Sequence, residues 1–161
     1  MGHERAQYES RVAAWWTSGR TGIAKSDSSA TAIHFSSPPD GLEGRWTAEE
    51  LLLGAIAGCF TTTFQTLAGI HQFDFVDLEV GATASVSKVG SAGFFNDISI
   101  HSMVSIPEFE DCDRALKLLE AAEAECLICR ALDFPIAFEA HVHVGEPEHS
   151  RPHRPSHLLA P

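Results

Sequence analysis

The chain has 161 residues, 44% of them hydrophobic, and a net charge of −11 at pH 7 with its histidines neutral. That is room for one domain with a core and little for two, and the ordinary composition excludes disorder as the starting expectation. The acidic balance argues against nucleic acid or an anionic membrane as partner, and against anionic substrates unless a local basic group overrides it.

Met1 to Gln7 is polar and no apolar segment follows it, so no secretory leader is expected and a cytoplasmic location is. Tyr8, Ser10, Val12, Ala14 and Trp16 alternate along a first strand, which the turn Ser18-Gly19-Arg20-Thr21-Gly22 ends. A second extended stretch follows and resumes at Ala30 to Ser36, with Ile33 and Phe35 on one face. Pro38-Pro39-Asp40-Gly41 then breaks the chain.

Next comes the stretch around which the rest is organised. From Leu51 to Ile70 no residue is charged, and Cys59 stands near the middle. Thr47 and Glu50 ahead of it form a capping box, so this is a helix, expected to end near Gly69. A helix apolar on nearly all sides must be buried in a protein core or in lipid. Its length permits a membrane span. However, Thr61, Thr62, Thr63, Gln65 and Thr66 interrupt it and no Lys/Arg cluster flanks it, so it reads as the central helix of a soluble domain, covered by sheet or by a partner chain.

Val76 to Val86 and Ile98 to Ile106 alternate apolar and polar residues on either side of Gly90-Ser91-Ala92-Gly93, the pattern of an antiparallel hairpin with one buried face. Asp111 to Glu125 has helical spacing, with Ala115, Leu116, Leu119 and Ala122 on a stripe that Cys126 continues. Ile136 to Val144 is a last strand. The order is β-β-α-β-β-α-β: an α+β domain over residues 1–144, with antiparallel sheets around a long buried central helix. A flexible His- and Pro-rich tail is expected over residues 145–161.

Four cysteines, at 59, 112, 126 and 129, are too few and too unevenly spaced for a secreted disulfide framework. In a cytosolic chain they are redox-active, catalytic or simply buried. The reactive form is the thiolate, and an unperturbed cysteine ionises near pH 8.5. Cys59 lies too deep in its helix for the dipole to help, so activation is expected from a cation, with Arg20 the best candidate and a solvated turn arginine the bland reading. Cys126 points to the same core as Cys59, and the pair is either a bridge in waiting or two inert core thiols. Cys129 completes a C-x-x-C, placed here at a helix end rather than a helix start, and reads as a spectator or a substitute second thiol. Cys112 lies about 21 Å from Cys126 along the same helix and cannot bridge to it. His141 and His143 share a strand face that would allow a metal pair, but they alternate with buried residues and read as solvent-facing. No metal and no cofactor are expected.

The run Thr47-Ala48-Glu49-Glu50-Leu51-Leu52-Leu53-Gly54-Ala55-Ile56-Ala57-Gly58-Cys59-Phe60 resembles the signature helix of the OsmC/Ohr family (osmotically inducible protein C and organic hydroperoxide resistance protein). Ala121-Ala122-Glu123-Ala124-Glu125-Cys126 resembles its second cysteine helix, Ile106-Pro107 the strand end before it, and Gly19-Arg20-Thr21-Gly22 the turn that carries an early arginine. The resemblance spans roughly residues 8 to 144. It implies an OsmC-like fold, an intertwined homodimer, and a peroxidase that reduces organic hydroperoxides. It also implies roles: Cys59 as peroxidatic cysteine, Cys126 as resolving cysteine through a Cys59–Cys126 disulfide, Arg20 as stabiliser of the thiolate and Glu49 as the carboxylate that orients Arg20. A dithiol reductant, lipoyl-type or another thiol, would recycle the disulfide. Where the hydroperoxide-resistance branch continues with proline and polar residues, this chain has Leu127, Ile128 and Cys129. The alternatives are a small-molecule binding or redox-sensing protein on the same fold, and a thiol-disulfide oxidoreductase acting through Cys126 and Cys129.

Overall fold

A computed structural model describes residues 8–37 and 44–145. The Pro38-Pro39-Asp40-Gly41 break and all of the expected tail beyond Gly145 lie outside the described residues. The chain divides into two compact units, Met1–Leu52 and Leu53–Pro161.

In the first unit, β1 (Val12–Ser18), β2 (Thr21–Ser26) and β3 (Ile33–Ser36) form an antiparallel sheet in that order. The expected first strand starts four residues late, at Val12, and the expected second stretch is two strands. The cause of the split is a cluster of turn-forming side chains. The Ser26 Oγ accepts from the Ser28 backbone N–H at 3.1 Å, and the Ser29 N–H donates to the Ser26 carbonyl, which turns the chain back. Gly19, at φ 50°, closes the β1–β2 turn.

Gly22 holds this sheet together by what it lacks. A Cβ there would strike the Phe35 ring and stand 2.8 Å from the Trp15 carbonyl oxygen. Gly22→Ala is therefore expected to destabilise the unit by about 1–3 kcal/mol through overpacking against backbone that cannot yield. A urea-unfolding midpoint unchanged from wild type would contradict this.

The helix α1 (Ala48–Ile70) opens with the expected capping box: the Thr47 N–H donates to Glu50 Oε2 at 2.6 Å, and the Glu50 N–H to Thr47 Oγ1 at 3.2 Å. It runs one residue past Gly69 and closes with Gln72 in the left-handed region, φ 49°, while the Phe73 N–H reaches the Ala68 carbonyl at 2.8 Å. The Arg114 guanidinium donates to the His71 and Gln72 carbonyls and lies 5.3 Å over the Phe73 ring, placing a cation at the helix's negative end.

The second unit is a mixed sheet. The hairpin β4 (Asp77–Val89) and β5 (Ala92–Ile106) pairs antiparallel from Asp77↔Ser105 to Val89↔Ala92, turning at Gly90, whose φ is 64°. The final strand β6 (Ile136–Val144) pairs with β5 in parallel, where an antiparallel sheet was expected. The connection from β5 makes a crossover through a short turn at Phe109–Asp111, then α2 (Cys112–Glu125) and α3 (Leu127–Ala131), and a crossover returns the chain in the same direction. On the core side Ile98, Ile100, Ser102, Val104 and Ile106 of β5 are buried together with Ala115, Leu118, Leu119 and Ala122 of α2. Ile56, Phe60, Phe64, Leu67 and Ala68 of α1 complete this core, with Phe60 against Phe138 at 5.5 Å and Phe64 edge-on to Phe75 at 5.2 Å.

The central helix is thus buried on one face rather than all round. Gly54, Ala55, Gly58, Thr62, Thr66 and Gly69 lie along an exposed stripe of small residues. The helix is long and apolar enough to cross a membrane by length and composition, yet its aromatic face packs on the sheet.

Candidate active site

The break between α2 and α3 makes the site. At Cys126 the backbone leaves the helical region, with ψ at 113°, and the residue is at once the end of α2 and the N-cap of α3. The Arg130 N–H donates to the Cys126 carbonyl at 3.0 Å, which starts the new helix. The first amides of any helix have no partner within it. Two of them, Leu127 and Ile128, are aimed at the sulfur of Cys59 on α1.

This arrangement sets the acidity of Cys59. Burial pushes its thiol up, but the Ile128 N–H, the Cys126 S–H and the Leu127 N–H all donate to the thiolate, and the outcome is a thiol below its ordinary value. The Thr63 hydroxyl also contributes, as the least of these donors. Its single proton is already given to the Cys59 carbonyl at 2.8 Å, so the backbone amides carry more of the effect.

The other two sulfurs behave oppositely. Cys126 is fully buried, and desolvation together with its proximity to Cys59 pushes its thiol up. Cys129, one turn along α3, donates to the Cys126 sulfur across 3.0 Å. Burial, this hydrogen bond and the neighbouring sulfurs raise Cys129 to about 12. The three sulfurs lie in a row, Cys129, Cys126 and Cys59, and only the last has its thiol shifted below the ordinary value. All four cysteines are free thiols.

Cys59 and Cys126 therefore meet. The sequence-based search for an activating cation missed the backbone donors, because nothing in Cys126-Leu127-Ile128-Cys129 breaks a helix by propensity. The C-x-x-C, expected at a helix end, opens a helix instead, and that spacing was the signal available. Arg20 lies in the exposed turn after β1 in the first unit. Glu49 occupies the first turn of α1, half-buried, with its Oε2 buried and without a hydrogen-bond partner among the described residues. Cys112 begins α2, at the far end of that helix from Cys126. His141 is exposed and its Nε2 lies 2.9 Å from Glu139 Oε1, while Glu139 Oε2 lies 3.0 Å from His101 Nδ1. No group of three or more His, Cys, Asp or Glu among the described residues is placed to hold a metal ion.

The order of acidities is directly measurable. Alkylation follows thiolate, so Cys59 is expected to react with iodoacetamide at a lower pH than an ordinary cysteine, and Cys129 to stay unreactive until strongly alkaline pH. Mass mapping of the label across a pH series checks this; equal midpoints for the two sulfurs would contradict it.

Residues 40–141 match the sequence model of the OsmC-like protein family. No curated protein matches the chain. Among solved structures, the chain is similar to an organic hydroperoxide resistance protein from Elizabethkingia anophelis, at 19% identity and TM-score 0.67, covering 88% of this chain and 99% of that one. It is similar to an OsmC-like protein from Mycoplasma pneumoniae, at 16% identity and TM-score 0.72, covering 86% and 99%. It is also similar to the organic hydroperoxide resistance protein OhrB of Bacillus subtilis, at 22% identity and TM-score 0.59, covering 85% and 99%. These likenesses show a shared fold.

Proposed function

Because the chain belongs to the OsmC-like protein family, we propose that it is a thiol-dependent peroxidase that reduces organic hydroperoxides. One observation carries this reading: Cys59, its thiol shifted below the ordinary value, neighbours a second, fully buried thiol, Cys126. The Cys59 thiolate attacks the distal peroxide oxygen, becomes a sulfenic acid and releases an alcohol. The Cys126 thiol then attacks the Cys59 sulfur; its proton leaves with the displaced hydroxyl as water, and a Cys59–Cys126 disulfide remains. A dithiol of lipoyl type reduces it and departs as its own disulfide. A reducing cytoplasm suits this cycle.

An organic peroxide is favoured because Leu127, 59% exposed beside the amide donor, offers apolar surface that hydrogen peroxide cannot use. Burial of a few carbon atoms is worth about 1–2 kcal/mol, roughly tenfold in kcat/KM. Arg20 keeps the role of cation for the thiolate, and Glu49 that of the carboxylate orienting it; a buried, unpaired Oε2 on Glu49 supports a cation as its partner.

The active form is a homodimer. Val12 at 70%, Trp16 at 74% and Trp46 at 49% exposure, together with the small-residue stripe of α1, are apolar surfaces of a kind a second copy would cover.

The test is consumption of cumene hydroperoxide with dihydrolipoamide, beside hydrogen peroxide, on protein whose mass in solution is measured by sedimentation. Sustained turnover preferring the organic peroxide, by a species of twice the chain mass, is expected. Absence of turnover with either peroxide overturns the reading and leaves a binding or sensing protein.

A further inference from the structure

We infer that Cys129 is a third redox thiol, which takes over the disulfide from Cys59 so that the oxidised protein rests as Cys126–Cys129 with Cys59 free. The inference rests on the peroxidase reading and adds a step to it.

The geometry is specific. Cys126 stands between the other two: Cys129 donates to its sulfur at 3.0 Å, and on the other side it neighbours Cys59 closely enough to lower that thiol. A disulfide is about 2.05 Å long, so the Cys126 and Cys129 sulfurs need close by only about 1 Å. Both belong to the first turn of α3, where Cys126 is N-cap with an extended ψ, so the closure stays within one turn. Cys126 is wholly buried, whereas Cys129 is half-buried, which gives an external dithiol a sulfur it can reach.

The step balances without a further oxidant. Cys129 loses its proton to solvent and attacks the Cys126 sulfur of the Cys59–Cys126 disulfide. The Cys126–Cys129 bond forms, the Cys59–Cys126 bond breaks, and Cys59 leaves as thiolate. Two oxidised sulfurs enter and two remain. Exchange favours expulsion of the more acidic thiol, and Cys59 is the sulfur that the Ile128 and Leu127 amides stabilise as an anion. Burial, the main reason the Cys129 thiol is held up, persists in the oxidised protein, but the lesser contributions of the neighbouring sulfurs are gone once Cys59 and Cys126 are bonded.

The relay makes the protein consume a second oxidising equivalent before any reductant arrives. Fully reduced protein would be treated with cumene hydroperoxide alone, quenched in acid, blocked with iodoacetamide and mapped without reduction. After one equivalent the expected map is Cys126–Cys129 with Cys59 alkylated, and after a second equivalent Cys59 carries a dimedone-trapped sulfenic acid. Cys129→Ser and Cys129→Ala should both stop at Cys59–Cys126, with dimedone labelling of Cys59 at the second equivalent lower by about tenfold or more. Cys112→Ser should match wild type. A wild-type map showing Cys59–Cys126, with no label at the second equivalent, overturns the relay while leaving the peroxidase standing. If one equivalent of peroxide oxidises no thiol, the peroxidase reading falls and the relay with it.

Discussion

Cys59→Ser is expected to abolish hydroperoxide consumption, with a fall of roughly a thousandfold or more, the scale of loss when a covalent nucleophile is removed. The reason lies in the donors. The Ile128 and Leu127 amides stabilise an anion at the position of the Cys59 sulfur. A serine hydroxyl would face the same amides but ionises far above any physiological pH, and its oxygen is a poor nucleophile towards peroxide. The substitution is nearly isosteric on a helix held by Phe60 and Phe64, so folding should be retained. Loss of activity at unchanged melting temperature is the expected pair of results. Turnover persisting in Cys59→Ser but vanishing in Cys129→Ser would move the chemistry to the C-x-x-C.

Cys126→Ser should separate the two halves of the cycle. The first turnover, which needs only the Cys59 thiolate, keeps its rate to within about tenfold, because one hydrogen bond to the sulfur is worth about 1–1.5 kcal/mol. Multiple turnover should fail. Without the thiol at position 126, the Cys59 sulfenic acid persists and meets further peroxide, passing to sulfinic acid. Intact-mass spectra after each addition of cumene hydroperoxide should show Cys59 gaining first one oxygen and then a second. Rapid-quench rates close to wild type beside steady-state rates near zero are the signature. Undiminished steady-state turnover would remove Cys126 from the mechanism.

What could be read from the residues was local. The Thr47/Glu50 box and the β4–β5 hairpin depend on neighbours a few positions away, and both form as expected. The direction of β6 was not legible, since parallel pairing of Ile98 with Ile136 is decided by packing across a crossover, not by alternation within the strand. Neither was the break at Cys126, which falls on a stripe of apolar residues that an unbroken helix would also give. The threonines of α1 are less polar in the fold than in the sequence. Thr61, Thr62, Thr63 and Thr66 each donate their hydroxyl to a carbonyl one turn back, so their polarity is spent inside the helix and they present methyl groups outward. The amides of Leu127 and Ile128, which lower the Cys59 thiol, were not legible either, because they are freed only by the break at Cys126.

The parallel seating of β6 has a consequence for the newborn chain. A strand that returns beside β5 closes contacts between residues far apart in the sequence, and such contacts carry an entropic cost that delays them. Until that closure α2 lacks its packing partner in β6, and the helix break that lowers the Cys59 thiol is held less firmly. A polypeptide still emerging during synthesis is thus expected to gain the full acidity of Cys59 only when its last strand is seated.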